Sequence, residues 1–379
     1  MVPRLNEIPW EALRADIALP AIGRVLEGMA AEREVDRTLR SHRGLSREER
    51  AALVEAIFGV ALWRRRLAWH AGSDLPRVLL TCLLRDLAGL PEERALAICG
   101  LSGAPPLRPV PDRLADRWSL PDWLEAVLQK ELGADAEPFC AAISVPGPVC
   151  LRANRLRCTR EELARELARE GIATRPAARA ADGLYVTTPQ PNLNGTECWR
   201  RGWFEAQDEG SQLVGELARD ETVLDLCAGA GGKSLLLAAR GARVTAHDPH
   251  RGRLARLRVR AAHAGAEIEI SDTPVAADTV LVDAPCSELG ILRRGPDSRW
   301  LADPGTFAAL ETLQRDLLQT AALLARKRIV YATCTLRREE NEDVALELKG
   351  SAWRRGDFVR FLPHLHGTDG FFAAVWERR

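Results

Sequence analysis

The first hundred or so residues place apolar side chains with the period of an α-helix. In the segment SREERAALVEAIFGVALWRRRLAW, Leu53, Ile57 and Val60 recur at helical spacing. Ser46 with Glu49 forms a capping box that opens this helix. A second apolar segment, LPRVLLTCLLRDLAGL, follows at once and ends at a glycine. No residue in this region carries catalytic chemistry, so the pattern predicts a helical packing or docking domain over residues 1–118.

The middle of the chain mixes short strand and helix signals. Five prolines between residues 102 and 121 predict a linker, and the segment PDWLEAVLQKEL after it predicts a helix. The segment PVCLRANRL predicts a strand, and Thr159 with Glu162 caps a helix that stops at Gly171. These signals predict a small α+β module over residues 119–200.

Strand and helix patterns alternate from residue 201 to residue 379. Buried strands are predicted at TVLDL, RVTAHD, DTVLVDAP and RIVYATC, and helices lie between them. This alternation predicts an α/β domain with a parallel, doubly wound sheet. Ligands of such sheets bind at the carboxyl ends of the strands, where all of the chemically interesting residues fall.

Composition narrows the class of protein. The 379 residues allow two or three domains, and 46% hydrophobic with 28% charged residues is typical of a globular chain. The 53 basic and 53 acidic residues cancel, so any nucleic-acid site must be a local patch. There is no membrane-length apolar run and no signal-peptide core, and the nine cysteines are scattered without a C-x-x-C pair. We expect a cytoplasmic monomer with reduced thiols and no metal site.

A glycine-rich loop, DLCAGAGGKS, follows the first strand of the α/β domain. Gly232, Lys233 and Ser234 fit the end of a phosphate-binding Walker loop, but Cys227 stands where the first glycine of that loop belongs. Asp248 lies 23 positions after Asp225, at the end of the next strand. A carboxylate at this spacing accepts hydrogen bonds from a ribose, so an adenosine-containing cofactor is favoured over a triphosphate. A P-loop NTPase stays open at this point.

Two cysteines follow strands of the same predicted sheet. Cys286 comes three residues after Asp283, and Cys334 lies between two threonines. Thiolates are strong nucleophiles where a cation lowers the thiol pKa, so two thiols at one sheet edge indicate nucleophilic chemistry. The candidate cations are Lys233, Arg293 and Arg294. Cys227, inside the loop, is interpreted as a structural thiol.

Four segments in order carry a family resemblance: DLCAGAGGKS, DAPCSELGILRRGPD, YATCTLRREENE and GTDGFF. Together they resemble the RNA cytosine-5 methyltransferases over roughly the last 180 residues. The likeness extends more weakly through LRANRL and FEAQDEGSQL to the helical N-terminal region. That region resembles the NusB-like domain of the bacterial RsmB (Fmu) branch, of the NOL/NOP/Sun family. The resemblance implies a Rossmann-like methyltransferase domain at the C-terminal end.

The resemblance also implies S-adenosylmethionine as cofactor and assigns roles to residues. Cys334 adds to carbon 6 of cytosine, Cys286 assists proton loss and enzyme release, and Asp283 with Lys233 contacts the base edge. The cytosine is single-stranded or flipped out, in RNA of the small ribosomal subunit. The expected cofactor-binding residues are Cys227, Ala228, Gly229, Ala230, Gly231, Gly232, Lys233, Asp248, Arg253, Asp272 and Asp283. The expected RNA contacts are Arg293, Arg294, Arg152 and Asn154.

Three positions depart from the family pattern. Ala230 replaces a loop proline, Glu288 replaces a glycine, and ARKR replaces a P-G-G turn before the last strand. A non-catalytic RNA-binding or assembly factor with the same fold is therefore one alternative, and a transfer-RNA cytosine-5 methyltransferase is another. A DNA cytosine-5 methyltransferase would use Cys286 as the attacking thiol, but the chain has no Glu-Asn-Val partner motif.

Overall fold

The computed structural model describes residues 3–189, 191–295, 297–348 and 352–379. Its chain forms two compact units, and each is discontinuous in sequence. The first comprises Met1–Val145 and Leu292–Pro304, and the second comprises Pro146–Ile291 and Gly305–Arg379. The domain limits read from the sequence, at residues 118 and 200, differ from these unit limits and stay predictions.

The first unit is helical. Its helices are α1 (Ala15–Leu26), α2 (Ala31–Ser41), α3 (Arg47–Ala71), α4 (Pro76–Cys82), α5 (Glu92–Cys99), α6 (Leu114–Trp118), α7 (Asp122–Leu132), α8 (Ala136–Ile143) and α14 (Ser298–Leu301). The predicted capping box opens α3: Ser46 Oγ accepts from Glu49 N at 3.1 Å, and Glu49 Oε2 accepts from Ser46 N at 2.7 Å. Leu53, Ile57 and Val60 are buried in the core of this unit, as the helical spacing predicts.

Two irregular segments of this unit are held by arginines. The proline-rich stretch is mostly exposed between residues 102 and 113, but Arg85 Nη1 donates to Pro105 O at 2.7 Å and Arg85 Nη2 donates to Pro106 O at 3.3 Å. Its role as a linker stays a prediction. The segment Leu292–Pro304 carries Arg299, a fully buried guanidinium that donates to Trp118 O and Ile143 O.

The second unit begins with a small antiparallel sheet. Its elements are β1 (Cys150–Ala153), α9 (Arg160–Arg169), β2 (Thr174–Pro176), β3 (Gly183–Val186), α10 (Glu197–Arg200) and β4 (Phe204–Ala206). The strand order is β2-β3-β1-β4. Leu151 and Leu184 from the sheet pack with Leu163 and Leu167 of α9, which confirms the predicted α+β module.

A larger sheet makes up the rest of the second unit. Its elements are α11 (Glu209–Gly215), β5 (Thr222–Asp225), α12 (Gly232–Ala239), β6 (Arg243–Ala246), α13 (Arg251–Ala264), β7 (Ile268–Ile270), β8 (Ala277–Asp283), α15 (Phe307–Leu324), β9 (Ala325–Thr333), α16 (Glu342–Glu347), β10 (Trp353–Arg355), β11 (Val359–Phe361), α17 (Pro363–His366) and β12 (Phe371–Arg378). The strand order is β10-β12-β9-β8-β5-β6-β7, and β11 also pairs with β12.

The predicted parallel sheet is confirmed for its four strands and extended by a fifth parallel strand, β7, and by three antiparallel strands. Strands β7, β6, β5, β8 and β9 pair in parallel, whereas β12 pairs antiparallel with β9, β10 and β11. The loops after β5, β6, β8 and β9 therefore meet at one edge, where the candidate chemistry is concentrated. None of the helices in the described ranges combines the length and apolarity needed to cross a membrane.

Candidate active site

The glycine-rich loop turns from β5 into α12 through two left-handed residues. Gly229 has a φ of +55° and Gly231 a φ of +87°, a region that glycine enters without steric cost. A Cβ on Gly231 would lie 2.0 Å from Leu257 Cδ1 of α13, so the loop packs directly on that helix. A Cβ on Gly229 would have no atom within 4 Å, so this part of the loop faces open space.

Asp248 ties the end of β6 to the glycine loop. Its Oδ2 accepts from Gly229 N at 2.9 Å, and its Oδ1 accepts from His250 N at 2.8 Å. Each carboxylate oxygen has a further lone pair with which it could accept a hydrogen bond from a ribose hydroxyl. The spacing of the carboxylate in the sequence and its position in the structure therefore agree.

The loop is also held from its other side, by a contact that sequence reasoning missed. Arg260 of α13 donates through Nη1 to Ala230 O at 2.6 Å and through Nη2 to Glu205 Oε2 at 2.7 Å. Glu205 is buried on β4. The small sheet thus fixes the loop at the residue that replaces the usual proline.

Lys233 and Asp283 form an ion pair between α12 and the end of β8. Lys233 Nζ lies 2.6 Å from Asp283 Oδ2; the lysine side chain is 7% exposed and the aspartate side chain 33% exposed. Nearby, Asp225 is buried and accepts from Ser234 Oγ at 2.6 Å. Burial raises the pKa of Asp225 to about 7.

The two candidate thiols are in contact. Cys286 Sγ lies 3.3 Å from Cys334 Sγ, and Cys334 N donates to Cys286 Sγ at 3.3 Å. The hydrogen bond with Cys286, together with burial, raises the pKa of Cys334 well above its ordinary value. Burial likewise raises the pKa of Cys227, as expected for a structural thiol. Both members of the contacting pair are partly exposed, whereas six other cysteines are buried.

The thiol loops are joined to the C-terminal GTDGFF segment through glycines. Gly290 N donates to Cys334 O at 2.8 Å, and Gly290 O accepts from Gly370 N at 2.8 Å. A Cβ on Gly290 would lie 2.4 Å from Gly370 O, so only glycine fits there. Glu288, which replaces a family glycine, has a φ of +60° and so adopts the left-handed backbone conformation that glycine favours.

Comparison with known proteins agrees with this geometry. A family model described as "16S rRNA methyltransferase RsmB/F" matches residues 213–377, and one for the RsmF/B-like ferredoxin-like domain matches residues 120–192. A Bacillus subtilis (strain 168) protein named "Probable ribosomal RNA small subunit methyltransferase B" is 33% identical over 307 residues, covering 70% of this chain and 68% of the relative. This chain belongs to the RsmB/F family.

Other matches agree with the assignment. The "Ribosomal RNA small subunit methyltransferase B" of Sodalis glossinidius is 34% identical over 282 residues, covering 67% of this chain and 64% of the relative. The crystal structure of PH0851 superposes with a TM-score of 0.76 at 21% identity, covering 98% of this chain and 99% of that one. NSun6 from Pyrococcus horikoshii, solved with SFG, gives a TM-score of 0.62 at 19% identity, covering 68% of this chain and 98% of that one. At these identities the two structures support the fold alone.

Membership of the RsmB/F family confirms the predicted enzyme class and cofactor. The family consists of S-adenosylmethionine-dependent RNA cytosine-5 methyltransferases. The P-loop and DNA methyltransferase alternatives are thereby excluded. The NusB-like assignment of the N-terminal helices stays a prediction.

The residues of the glycine loop fit an adenosyl cofactor. The open face at Gly229, the lone pairs of Asp248 and the exposed part of Asp283 surround the same sheet edge. Asp272 follows β7 and Arg253 lies in the first turn of α13, and both are exposed. Individual contacts of these residues with the cofactor stay predictions.

The predicted RNA contacts have different outcomes. Arg152 and Asn154 are buried; Asn154 Nδ2 donates to Gly202 O and Ala264 O, both at 2.8 Å. Buried side chains offer no surface to RNA, so the prediction of RNA contact by these two residues is wrong. Arg293 and Arg294 lie in a short turn of the segment that belongs to the helical unit, and their role stays a prediction. Pro296 of the same motif lies outside the described residues.

Proposed function

We propose that this chain methylates carbon 5 of a cytosine in small-subunit ribosomal RNA, with Cys334 as the nucleophile. The observation that carries the proposal is the 3.3 Å contact between the Cys286 and Cys334 sulfurs, at the same sheet edge as the pair of Lys233 and Asp283. Two sulfurs in contact suit a reaction in which one adds to the base and the other handles a proton. The relatives named above act on small-subunit RNA, which supports the choice of substrate.

The chemistry requires a covalent adduct because carbon 5 of cytosine is a weak nucleophile. Addition of Cys334 Sγ to carbon 6 forms a carbon–sulfur bond, breaks the double bond between carbons 5 and 6, and leaves an electron pair at carbon 5. The glycine loop and Asp248 would hold S-adenosylmethionine, which would supply the methyl group to this carbon and leave as S-adenosylhomocysteine once its methyl–sulfur bond has broken. The hydrogen on carbon 5 then leaves as a proton, the double bond re-forms, and the electron pair of the carbon–sulfur bond returns to Cys334.

Neighbouring groups supply the proton transfers. Since Cys334 is a neutral thiol at rest, its proton must leave as the base arrives, and solvent water takes it up because Cys334 is partly exposed. We assign removal of the carbon 5 proton to Cys286, whose sulfur lies in contact with that of Cys334. Asp283 and Lys233 hold the polar edge of the cytosine, where charge develops once sulfur has added. Arg293 and Arg294 remain the proposed RNA contacts.

The test uses labelled S-adenosylmethionine and two RNA pools that lack the modification, small-subunit ribosomal RNA and transfer RNA. We expect wild type to label ribosomal RNA, Cys334→Ala to lose the label, and Cys286→Ala to accumulate a denaturation-resistant protein–RNA adduct. Cys198→Ala, which alters a buried thiol outside the site, is the matched control and should behave as wild type.

Each other outcome contradicts a stated part of the proposal. An adduct in Cys334→Ala but not in Cys286→Ala would reverse the roles of the two thiols. Label in transfer RNA alone would overturn the substrate. Cofactor binding without label in either pool would favour the assembly-factor alternative. The monomeric state, the absence of a metal and the cytoplasmic location stay predictions.

A further inference from the structure

Glu340 is a fully buried carboxylate in the loop after β9, and the proposed mechanism does not use it. It accepts four hydrogen bonds: from Ser287 N at 2.9 Å and Ser287 Oγ at 2.5 Å, from Gln314 Nε2 at 2.9 Å, and from Arg337 Nη1 at 3.1 Å. A buried carboxylate with this many donors is strongly held, because moving it would leave several buried groups unpaired.

The donors come from both sides of Cys286. Ser287 follows the cysteine directly, and its backbone and hydroxyl both reach Glu340. Gln314 of α15 donates from the same Nε2 to Pro285 O at 2.8 Å, so the residue before the cysteine belongs to the same network. The loop that carries Cys286 is thus attached to Glu340 at its two flanking residues.

The network also reaches Cys334. The Ser287 hydroxyl donates its one hydrogen bond to Glu340. In the 2.7 Å contact between Ser287 Oγ and Thr335 Oγ1, Thr335 is therefore the hydrogen-bond donor. Thr335 follows Cys334 directly, and Asn341 Nδ2 donates to its carbonyl at 3.0 Å. One carboxylate therefore connects the residues next to both thiols.

We infer that Glu340 is a positioning residue that sets the separation of the Cys286 and Cys334 sulfurs. When an amide replaces the carboxylate, two of the four donors face an NH2 group instead of an oxygen, and the loop after β8 is free to shift relative to the loop after β9. The sulfurs then separate from 3.3 Å, so Cys286 lies farther from the base bound to Cys334 and removal of the carbon 5 proton slows. The mechanistic part of this inference rests on the proposed function, but the separation of the sulfurs does not.

A chemical measurement reports that separation without any RNA. Diamide oxidises two adjacent thiols to a disulfide and is itself reduced to a hydrazine, so the rate of Cys286–Cys334 disulfide formation, read by peptide mass spectrometry, follows the contact between the sulfurs. We expect Glu340→Gln to form this disulfide at least about tenfold more slowly than wild type. Its kcat for methylation should fall by a similar factor while the KM for S-adenosylmethionine stays within about twofold.

Glu209→Gln is the matched control. Glu209 is also a buried carboxylate of the second unit, accepting from Arg179 N at 2.5 Å, Ala180 N at 3.0 Å and Tyr185 Oη at 2.7 Å. Among the described residues, none of these three partners belongs to a thiol loop. The same loss of charge there should leave the rate of disulfide formation within about twofold of wild type. If disulfide formation slowed equally in both variants, the cause would be a general destabilisation of the unit and not the position of Glu340, and the inference would be overturned.

The remaining outcomes are also decisive. A wild-type rate of disulfide formation in Glu340→Gln overturns the inference. If no protein methylates RNA but Glu340→Gln alone oxidises slowly, the proposed function fails and the positioning role stands. Should Glu340→Gln not fold, Ser287→Ala removes one donor and the link to Thr335, and should slow disulfide formation about threefold. An unchanged rate in that variant overturns the inference.

Discussion

Gly231→Ala tests whether the cofactor loop depends on the packing of its glycine against α13. A φ of +87° costs an alanine about 1–2 kcal/mol relative to glycine. The new Cβ would also lie 2.0 Å from Leu257 Cδ1 and 3.1 Å from Leu257 Cγ, and Leu257 is fully buried and cannot move aside freely. Overpacking of this kind costs about 1–3 kcal/mol. The reduced freedom of the unfolded chain returns about 0.4–1 kcal/mol, so a net loss of about 1–4.6 kcal/mol is expected.

The assay is urea unfolding followed by far-UV circular dichroism, together with titration calorimetry of S-adenosylmethionine binding. Gly231→Ala should lower the free energy of unfolding by the amount above and weaken cofactor affinity by at least about tenfold. Gly229→Ala is the matched control: its φ of +55° imposes similar backbone strain, but no atom lies within 4 Å of the new Cβ. It should cost only about 1 kcal/mol.

The double variant Gly231→Ala/Leu257→Ala isolates the clash. Removing the leucine side chain eliminates the contact, so the two substitutions should cost less together than the sum of their separate costs. Equal losses for Gly229→Ala and Gly231→Ala, or strict additivity in the double variant, would refute this account of the loop.

Four further outcomes are expected. The pKa of Asp225 is about 7 in the folded chain and near its ordinary 3.8 in the unfolded chain, so between these values only the folded chain keeps the proton. The contribution of Asp225 to the free energy of unfolding therefore falls by up to about 1.4 kcal/mol per pH unit from pH 4 to pH 7 and stays constant above pH 7. In urea unfolding at pH 5 to 8, the free energy of unfolding of Asp225→Asn should rise relative to that of wild type as the pH increases. Parallel pH curves for the two proteins would contradict this. Because Cys334 is a neutral thiol at rest, kcat/KM should rise with pH from 7 to 9, and a flat profile would contradict the raised pKa. Glu288→Gly should raise the free energy of unfolding by no more than about 1 kcal/mol, because the relief of backbone strain at φ +60° is partly offset by the greater entropy of the unfolded chain. A lower free energy of unfolding than that of wild type, measured in urea, would contradict this. Arg260→Ala should weaken S-adenosylmethionine binding about tenfold, measured by calorimetry, because Ala230 O loses its hydrogen-bond donor. An unchanged affinity would show that the hydrogen bond from Arg260 does not hold the glycine loop in place.

Much of the α/β domain could be predicted because its signals are local. The strand that ends at Asp225, the glycine loop and the carboxylate of Asp248 are close together in sequence, so one pattern predicts all of them. The placement of Cys286 and Cys334 at one edge follows from parallel pairing of β8 with β9. Their actual contact depends on loop conformation, which periodicity does not describe.

The failures have a common physical origin in contacts between distant segments. The LRANRL segment suggests Arg152 as an RNA contact, but β1 pairs with β4 in a register that sets Arg152 opposite Glu205 inside the unit. Glu340 lies in a run of charged residues that looks solvent-exposed, and only the fold brings Ser287 and Gln314 to it. Strands β10–β12 were missed because two of them have three residues each and no clear alternation.

Strand β12 follows every other described strand in the chain, yet it lies inside the sheet between β9 and β10. During synthesis, the edge of β9 next to the Cys334 loop therefore stays without its partner until Phe371–Arg378 has left the ribosome. The bond from Gly370 to Gly290 forms only at the same stage. Chains released early by a premature stop codon would carry both thiols without a completed site. Completion of the sheet beside Cys334 therefore depends on the last strand of the chain to be synthesised.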